Sequence, residues 1–257
     1  MQVLDKGYVE AVPKGCWGSD ELIIEAARMS TNKGFQGWGE RCKKCGISQK
    51  VFANDFDGPL WTGCKDKTDH EWQPGDEKLL AYLWNNKHHT PFEMAGATFE
   101  IYAPIFVIRE WHRHRTFSYN EMSGRYTELP NDYYIPSIER LIAAKQGLKN
   151  KQGSEAGFGE LEADLFQRLI RETIQDSRNE YEYLIECGVA REVARMVLPV
   201  SQYSRFRASG NLRNWLHFLR LRLAENAQYE IREYAKAVAT TIKTTFPRTY
   251  QLFSESL

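Results

Sequence analysis

The sequence lacks long apolar runs, an excess of charge of either sign, and internal repeats. No apolar run approaches the length of a membrane span, and residues 1–6 contain no apolar core of signal-peptide length. The 34 basic and 34 acidic residues give no net charge, so no overall field draws the protein to nucleic acid or to a membrane. These absences predict a cytoplasmic protein with no nucleic-acid or membrane partner.

Cysteine is scarce, with five residues in 257: Cys16, Cys42, Cys45, Cys64 and Cys187. In a reducing cytoplasm these thiols stay reduced, which favours thiol or metal roles over disulfides. Cys42-Lys43-Lys44-Cys45-Gly46 has the spacing of a zinc knuckle, and Cys64 with His70 would complete four ligands. Two hypotheses stay open, a structural metal at these four residues and reduced cysteines without a metal.

The periodicity of the first half predicts a strand. Apolar residues alternate from Thr98 to Val107, and one face carries Phe99, Ile101, Ala103, Ile105 and Val107. Pro104 interrupts this pattern, which indicates an edge strand or a bend.

The helical patterns lie mainly in the second half of the chain. They cover residues 161–185 and 191–197, and a longer stretch from Asn211 to about Thr245, while shorter ones occur at 20–30 and 76–84. Strands followed by helices predict a single α+β domain over residues 1–257, with a cysteine-containing insertion at about 40–70.

The stretch from Trp111 to Tyr126 combines polar and aromatic side chains. Its sixteen residues include three arginines, two histidines, a glutamate and four aromatic rings of Trp, Phe and Tyr. Arginine forks match phosphate groups, and aromatic faces suit planar rings. The stretch therefore predicts a pocket wall for an anionic, ring-containing molecule such as a nucleotide.

Two arginines stand among apolar helical neighbours, Arg195 and Arg222. An arginine that is at least partly buried needs an anionic partner, because removing its charge from water is costly. That partner is either structural, at Glu192, Glu225 or Glu230, or it is a ligand with a phosphate and an acidic ring.

These motifs resemble the flavin-dependent thymidylate synthase family. Arg113-His114-Arg115, then seven residues, then Ser123 matches the family signature. Further segments on both sides of this signature match the family, in the family's order along the chain: 88–93, 103–107, 118–121, 124–126, 191–199 and 227–231. The resemblance covers most of the chain outside 34–73 and 143–159. It implies a central, largely antiparallel β-sheet with a mostly helical C-terminal half.

The resemblance also implies an activity. A member of this family is a methyltransferase that converts dUMP to dTMP at C5 of the uracil. The one-carbon donor would be 5,10-methylenetetrahydrofolate, and FAD reduced by NADPH would provide the hydride. The protein would be a homotetramer whose active sites are shared between subunits.

The family's site residues map onto this sequence by resemblance. The residues that would contact FAD are Ser30, Thr90, Arg113, His114, Arg115, Glu121, Asn211, Leu212, Arg213 and His217. The residues that would hold dUMP are Glu110, Trp111, His112, Arg113, Glu121, Met122, Ser123, Gly124, Arg125 and Arg195. Arg222 would also contact dUMP and act in catalysis, by stabilising negative charge on the uracil ring so that C5 becomes nucleophilic.

Other functions give distinguishable expectations. None of the five cysteines follows a proline, as the nucleophile of the non-flavin thymidylate synthases does, so cysteine catalysis by that route is disfavoured. The same flavin chemistry could act on another pyrimidine nucleotide such as UMP. A nucleic-acid-binding module could use the 111–126 stretch to stack on bases, although the zero net charge argues against it.

Overall fold

The computed structural model describes residues 1–46, 70–146 and 154–257. Strands in these ranges are β1 (Gln2–Val3), β2 (Gly7–Trp17), β3 (Arg41–Cys42), β4 (Trp72–Gln73), β5 (Gly96–Pro104), β6 (Ser118–Glu121), β7 (Lys145–Gln146), β8 (Ser154–Glu155) and β9 (Tyr203–Asn211). The α-helices are α1 (Asp20–Arg28), α2 (Glu77–Asn85), α3 (Ile105–Trp111), α4 (Ile138–Ile142), α5 (Glu160–Glu186), α6 (Arg191–Ala194), α7 (Leu212–Arg222), α8 (Tyr229–Thr245) and α9 (Pro247–Glu255). Short 3-10 helices lie at Met29–Thr31, Thr90–Met94 and Arg195–Val197.

A five-stranded sheet has the order β1-β2-β5-β9-β6. The β1–β2 and β6–β9 pairs are antiparallel. Phe99, Ile101 and Ala103 of β5 are fully buried, which confirms the predicted apolar face. The mixed fold with a central antiparallel sheet agrees with the predicted α+β class.

Of the two alternatives expected at Pro104, the edge strand is wrong, because β5 lies in the middle of the sheet, and the bend is confirmed. Pro104 is instead the last residue of β5 and the N-cap of α3. Ile105 and Val107 consequently belong to a helix, since the chain leaves the sheet directly after the proline. The 111–126 stretch therefore begins at the last residue of a short helix and not at the end of a strand.

The second half of the chain is mostly helical, as expected, but it also contains a strand of the five-stranded sheet that was not expected. Strand β9 lies in the second half of the chain and pairs with β6. Ser204, Phe206 and Ala208 are buried whereas Arg205 and Arg207 are exposed, so the two-residue period of a half-buried strand is present in the sequence.

Local capping explains where several helices begin and end. The Ser19 hydroxyl accepts a hydrogen bond from the N–H of Leu22 at 3.2 Å, which confirms the predicted start of α1. Gly188 follows α5 with a φ of 82°, a left-handed conformation that favours glycine. The final helix α9 was not expected, and Pro247 opens it because proline suits the first helical position.

The described chain divides into two compact units. The first comprises Met1–Gly15, Thr98–Gly210 and His217–Thr241, and the second comprises Cys16–Ala97, Asn211–Leu216 and Ile242–Leu257. The prediction of one domain over residues 1–257 stays a prediction. Among the described helices, none is both long enough and apolar enough to cross a membrane.

Candidate active site

Arg222 is the centre of a polar cluster in the first unit. Its Nη1 donates to Glu110 Oε2 at 2.7 Å, and its Nη2 donates to the Glu110 carbonyl oxygen at 3.0 Å. Its Nε donates to Nε2 of His114 at 2.9 Å. The Arg222 side chain is only 16% exposed, which confirms that it is partly buried. Its anionic partner is Glu110, however, and not Glu225 or Glu230.

The burial of His114 determines its protonation state. Burial, together with the charges of Arg222 and His217, lowers the pKa of His114 from 6.5 to about 4. The ring is therefore neutral at pH 7, and Nε2 can accept the Arg222 hydrogen bond while the proton resides on Nδ1. Because His114 is neutral, the positive charge of this hydrogen-bonded pair lies on Arg222.

Aromatic side chains hold this cluster in place. The fully buried Trp111 ring stacks on Phe218 at a centroid distance of 4.3 Å, and the His114 ring packs edge-on against Phe218 at 4.9 Å. The Tyr119 hydroxyl lies 2.7 Å from the carbonyl oxygen of Trp111 and 3.0 Å from that of His114. Burial raises the pKa of Tyr119, so the hydroxyl stays a donor.

Sequence reasoning assigned no role to Tyr119 or Phe218. The available signal for Phe218 was its position four residues before Arg222 in a helical pattern, which puts both residues on one face of α7. No sequence signal linked Glu110 to Arg222, because the two residues are 112 positions apart.

A second group of predicted substrate residues also comes together in the first unit. A Cβ atom built on Gly124 would lie 3.4 Å from Cδ of Arg195, so the backbone of residue 124 closely approaches this arginine. Arg125 Nε donates to Glu192 Oε2 at 3.0 Å, and the N–H of Arg125 lies 3.3 Å from the Ser123 hydroxyl. The structure thus brings Ser123, Gly124 and Arg125 against the segment that contains Arg195.

The expected burial of Arg195 is wrong. Arg195 is exposed, as are Val193, Met196 and Val197 around it. The expected structural partners are occupied elsewhere, since Glu192 pairs with Arg125 and Glu230 pairs with Arg140 at 2.8 Å. The apolar neighbours in the sequence indicated a buried helix face, but in the described chain these side chains point to solvent.

The remaining predicted residues of the first unit include exposed cations. Arg113 and Arg115 are exposed and have no recorded protein partner in the described ranges. The predicted contacts His112, Glu121 and His217 are likewise exposed, and Met122 is half-buried. The buried Trp111 side chain, in contrast, is part of the hydrophobic core.

The second unit contains the other predicted flavin contacts. Ser30 and Thr90 are exposed in short 3-10 helices. Arg213 Nη1 donates to Glu93 Oε1 at 2.9 Å. Asn211 Oδ1 accepts from the N–H of Asn214 at the start of α7, and the Leu212 side chain is fully buried.

Part of the predicted metal site is also assembled in the second unit. The donor atoms of Cys42, Cys45 and His70 all lie within 4.8 Å of one another. Burial acts to raise the pKa of the Cys42 thiol, but hydrogen bonds from the Cys45 and Lys44 backbone and the His70 ring lower it to about 5. Cys64, the fourth ligand of the hypothesis, lies outside the described residues.

Comparison with known proteins identifies the family. Residues 15–248 match the family model described as thymidylate synthase complementing protein. A flavin-dependent thymidylate synthase of Thermus thermophilus is 40% identical over 257 residues, covering 100% of this chain and 79% of the relative. That of Wolbachia pipientis is 38% identical, covering 99% of this chain and 76% of the relative.

Solved structures have the same fold. The UMP/dUMP methylase PolB from Streptomyces cacaoi, bound with 5-Br dUMP, superposes with a TM-score of 0.74 at 28% identity. The match covers 99% of this chain and 97% of that chain. The chain belongs to the flavin-dependent thymidylate synthase family, which confirms the family that the sequence motifs indicated.

Proposed function

We propose that the protein methylates dUMP at C5 to give dTMP. The one-carbon donor is 5,10-methylenetetrahydrofolate, and FAD reduced by NADPH is the hydride source. Relatives over the full chain length are named flavin-dependent thymidylate synthases, and a structural neighbour bound with 5-Br dUMP is named a UMP/dUMP methylase. The observation that carries the proposal in this chain is the Arg222 guanidinium, held in a fixed orientation by Glu110 and His114.

Arg222 suits the role of stabilising charge on the uracil ring. Its recorded hydrogen bonds use three of the five N–H groups of a guanidinium, so one N–H on each Nη nitrogen can reach a ligand. Because protein partners already fix the group, little reorganisation is needed when negative charge develops on the ring. C5 of the uracil then becomes nucleophilic without a covalent bond to the enzyme.

The nucleotide phosphate requires cationic side chains and other hydrogen-bond donors. Arg195 is exposed with no recorded partner among the described residues, and it adjoins Gly124. The Ser123 hydroxyl and the Arg125 guanidinium lie on the same segment and can donate to phosphate oxygens. We assign these four residues to the phosphate end of dUMP, with Glu110 and Met122 toward the base.

The residues proposed for FAD fit an anionic dinucleotide. Arg113 and Arg115, which are exposed and without a partner in the described part of the chain, offer guanidinium forks for phosphate groups. Ser30 and Thr90 offer exposed hydroxyls. Asn211, Arg213, His217, His114 and Glu121 add further polar groups, and Leu212 can contribute only its backbone because its side chain is buried. Bound FAD supplies the hydride that completes the methyl group.

The proposed assembly is a homotetramer with active sites shared between subunits. The long helix α5 exposes Leu161, Leu165 and Leu169, which are 88%, 47% and 50% exposed in the single chain. Their spacing of four residues forms an apolar stripe along one helix face. Such a stripe is typical of a surface that another protein chain covers. We also retain the sequence-based prediction of a cytoplasmic location.

The test of this function is turnover by the purified protein. The protein should carry a flavin absorbance spectrum and form dTMP from dUMP, methylenetetrahydrofolate and NADPH, as measured by mass spectrometry of the nucleotides. A colourless protein that FAD cannot reconstitute, and that binds single-stranded nucleic acid instead, would favour the binding-module alternative.

A second candidate substrate is UMP. The structural neighbour is named a UMP/dUMP methylase and has also been solved with 5-Br UMP, at a TM-score of 0.73 and 29% identity. Parallel assays with dUMP and UMP under identical conditions separate the two. A kcat/KM for UMP equal to or above that for dUMP would replace our assignment of the substrate.

A further inference from the structure

We propose that the second unit holds a structural zinc ion bound by the thiolates of Cys42 and Cys45 and by the imidazole of His70. These residues supply three of the four donors that a tetrahedral structural zinc site uses. They are brought together from the two ends of the 40–70 insertion, within the part of the chain that the structure describes. None of these three residues is among those assigned to dUMP or FAD.

The distances between the donors match zinc coordination. Cys45 Sγ and His70 Nδ1 are 3.5 Å apart. Zinc–sulfur and zinc–nitrogen bonds of about 2.3 and 2.05 Å at a tetrahedral angle would separate these two atoms by about 3.6 Å. All three donor atoms lie within 4.8 Å of one another, so an ion can bind with only small side-chain movements.

The backbone around Cys42 forms a knuckle. The N–H of Gly46 donates to the Cys42 carbonyl oxygen at 2.9 Å, and the N–H of Lys44 donates to Cys42 Sγ at 3.4 Å. Gly46 has a φ of 73°, which allows the chain to reverse directly after Cys45. An N–H group that donates to sulfur orients the thiolate, as outer hydrogen bonds do for metal ligands in general.

The chemistry of the donors selects zinc. Thiolates are soft ligands and imidazole is a borderline one, and this set favours zinc over the oxygen-preferring cations magnesium and calcium. Zinc also has no redox chemistry of its own, so the site can act purely as a structural link.

The proposed ion would link the two ends of the 40–70 insertion. Cys45 and His70 are 25 positions apart, and a link across such a loop restricts the unfolded chain. Antiparallel pairing of Cys42 with Trp72 joins the same two ends of the insertion. The zinc would therefore reinforce a short two-stranded connection that has few residues to stabilise it.

The segment before the Cys42–Gly46 knuckle is hydrogen-bonded to the buried carboxylate of Asp76. The N–H groups of Gln36 and Gly37 donate to Asp76 Oδ2 at 2.6 and 3.1 Å, and the carboxylate of Asp76 also pairs with Arg28. Gly39 N–H donates to Glu77 at the start of α2. The zinc site follows this segment directly in the chain. Loss of the ion should therefore lower the stability of the second unit.

Metal analysis of the whole flavin-loaded protein tests the site. Protein purified under reducing conditions should contain one zinc per chain by inductively coupled plasma mass spectrometry. Cys45→Ser and His70→Ala should each lower the zinc content at least about tenfold, because each removes a ligand. Cys187→Ser is the matched control, since this exposed cysteine is not in the cluster, and it should retain the zinc.

A second measurement covers the case in which the variants fail to fold. Chelation of zinc from the wild-type protein should lower the Tm, and zinc addition should restore it. Cobalt in place of zinc should give a thiolate charge-transfer band and the d–d bands of tetrahedral coordination in a difference spectrum. Less than about 0.1 zinc per chain after reductive loading, a disulfide between Cys42 and Cys45 in its place, or equal loss in Cys187→Ser would overturn the proposal. Metal content and dTMP formation are read separately, so failure of one proposal does not count against the other.

Discussion

At the scale of single residues, the environment of Arg222 determines what the candidate site can do. The sequence places this arginine between two leucines, and the structure provides its counter-charge from Glu110 and its neutral acceptor from His114. The consequence is a cation that is fixed before a ligand arrives. Both partners can be tested separately from the arginine itself.

Replacement of Arg222 by alanine should abolish methylation while largely sparing flavin binding. Loss of a fixed group that stabilises developing charge costs about 10²–10³ in kcat. Turnover and flavin content per chain should be measured together. Arg220→Ala, an exposed arginine of the same helix, is the control and should keep near wild-type turnover. Normal turnover in Arg222→Ala would refute the activating role.

Replacement of His114 by glutamine should change the pH dependence of stability. The folded-state pKa of about 4 lies below the ordinary 6.5, so between these values the unfolded chain binds the proton more readily. Stability is therefore lost as the pH falls from about 6.5 toward 4. A glutamine amide oxygen can still accept from Arg222 and does not titrate.

The measurement for this prediction is Tm across that pH range for both proteins. Because carboxylates titrate in both, the informative quantity is the difference between the two curves. The wild-type Tm should fall more steeply than that of His114→Gln. Parallel curves would mean that His114 does not titrate as its burial implies.

At the scale of elements, the pairing of β6 with β9 positions the middle of the 111–126 stretch. Ser118 pairs with Ser209, and Gly210 follows at the point where Phe117 packs against the strand. Sequence patterns found β5, α1 and α5 because their apolar periods are regular. They missed β9, whose buried positions include a serine, and they extended β5 past Pro104.

Substitution of Gly210 by alanine should destabilise the protein. The added Cβ would lie 2.4 Å from Cδ1 of the buried Phe117 ring, so the ring or the strand must shift. Overpacking of this kind lowers the free energy of unfolding by about 1–3 kcal/mol. Chemical denaturation should record this loss.

Gly34→Ala is the matched control for this substitution. No atom of the described residues lies within 4 Å of the added Cβ, so the change should be neutral or stabilise by up to about 1 kcal/mol. A Gly210→Ala protein as stable as Gly34→Ala would contradict the close contact with Phe117.

At the scale of the whole molecule, the exposed apolar stripe on α5 is the surface that we assign to the proposed homotetramer. Replacing Leu165, in the middle of the stripe, with glutamate should dissociate the proposed homotetramer, because a charge would be buried in an apolar contact. Light scattering should then give a mass below four chains. If active sites are shared between subunits, dTMP formation should fall in parallel.

The control for dissociation is Gln175→Glu, which adds the same charge at an exposed polar position of the same helix. This variant should keep the wild-type mass. A Leu165→Glu protein of unchanged mass would exclude the stripe as the subunit interface.

The sequence by itself determined the family, the α+β class and most helices, because these depend on local periodicity and on motifs that are short and continuous. It also identified Arg222 as an arginine that needs an anionic partner. Only the tertiary structure decided which partner this is, that Arg195 is exposed, and that Trp111 serves the core. These outcomes depend on contacts between residues far apart in the chain, and a one-dimensional pattern contains no information on such distances.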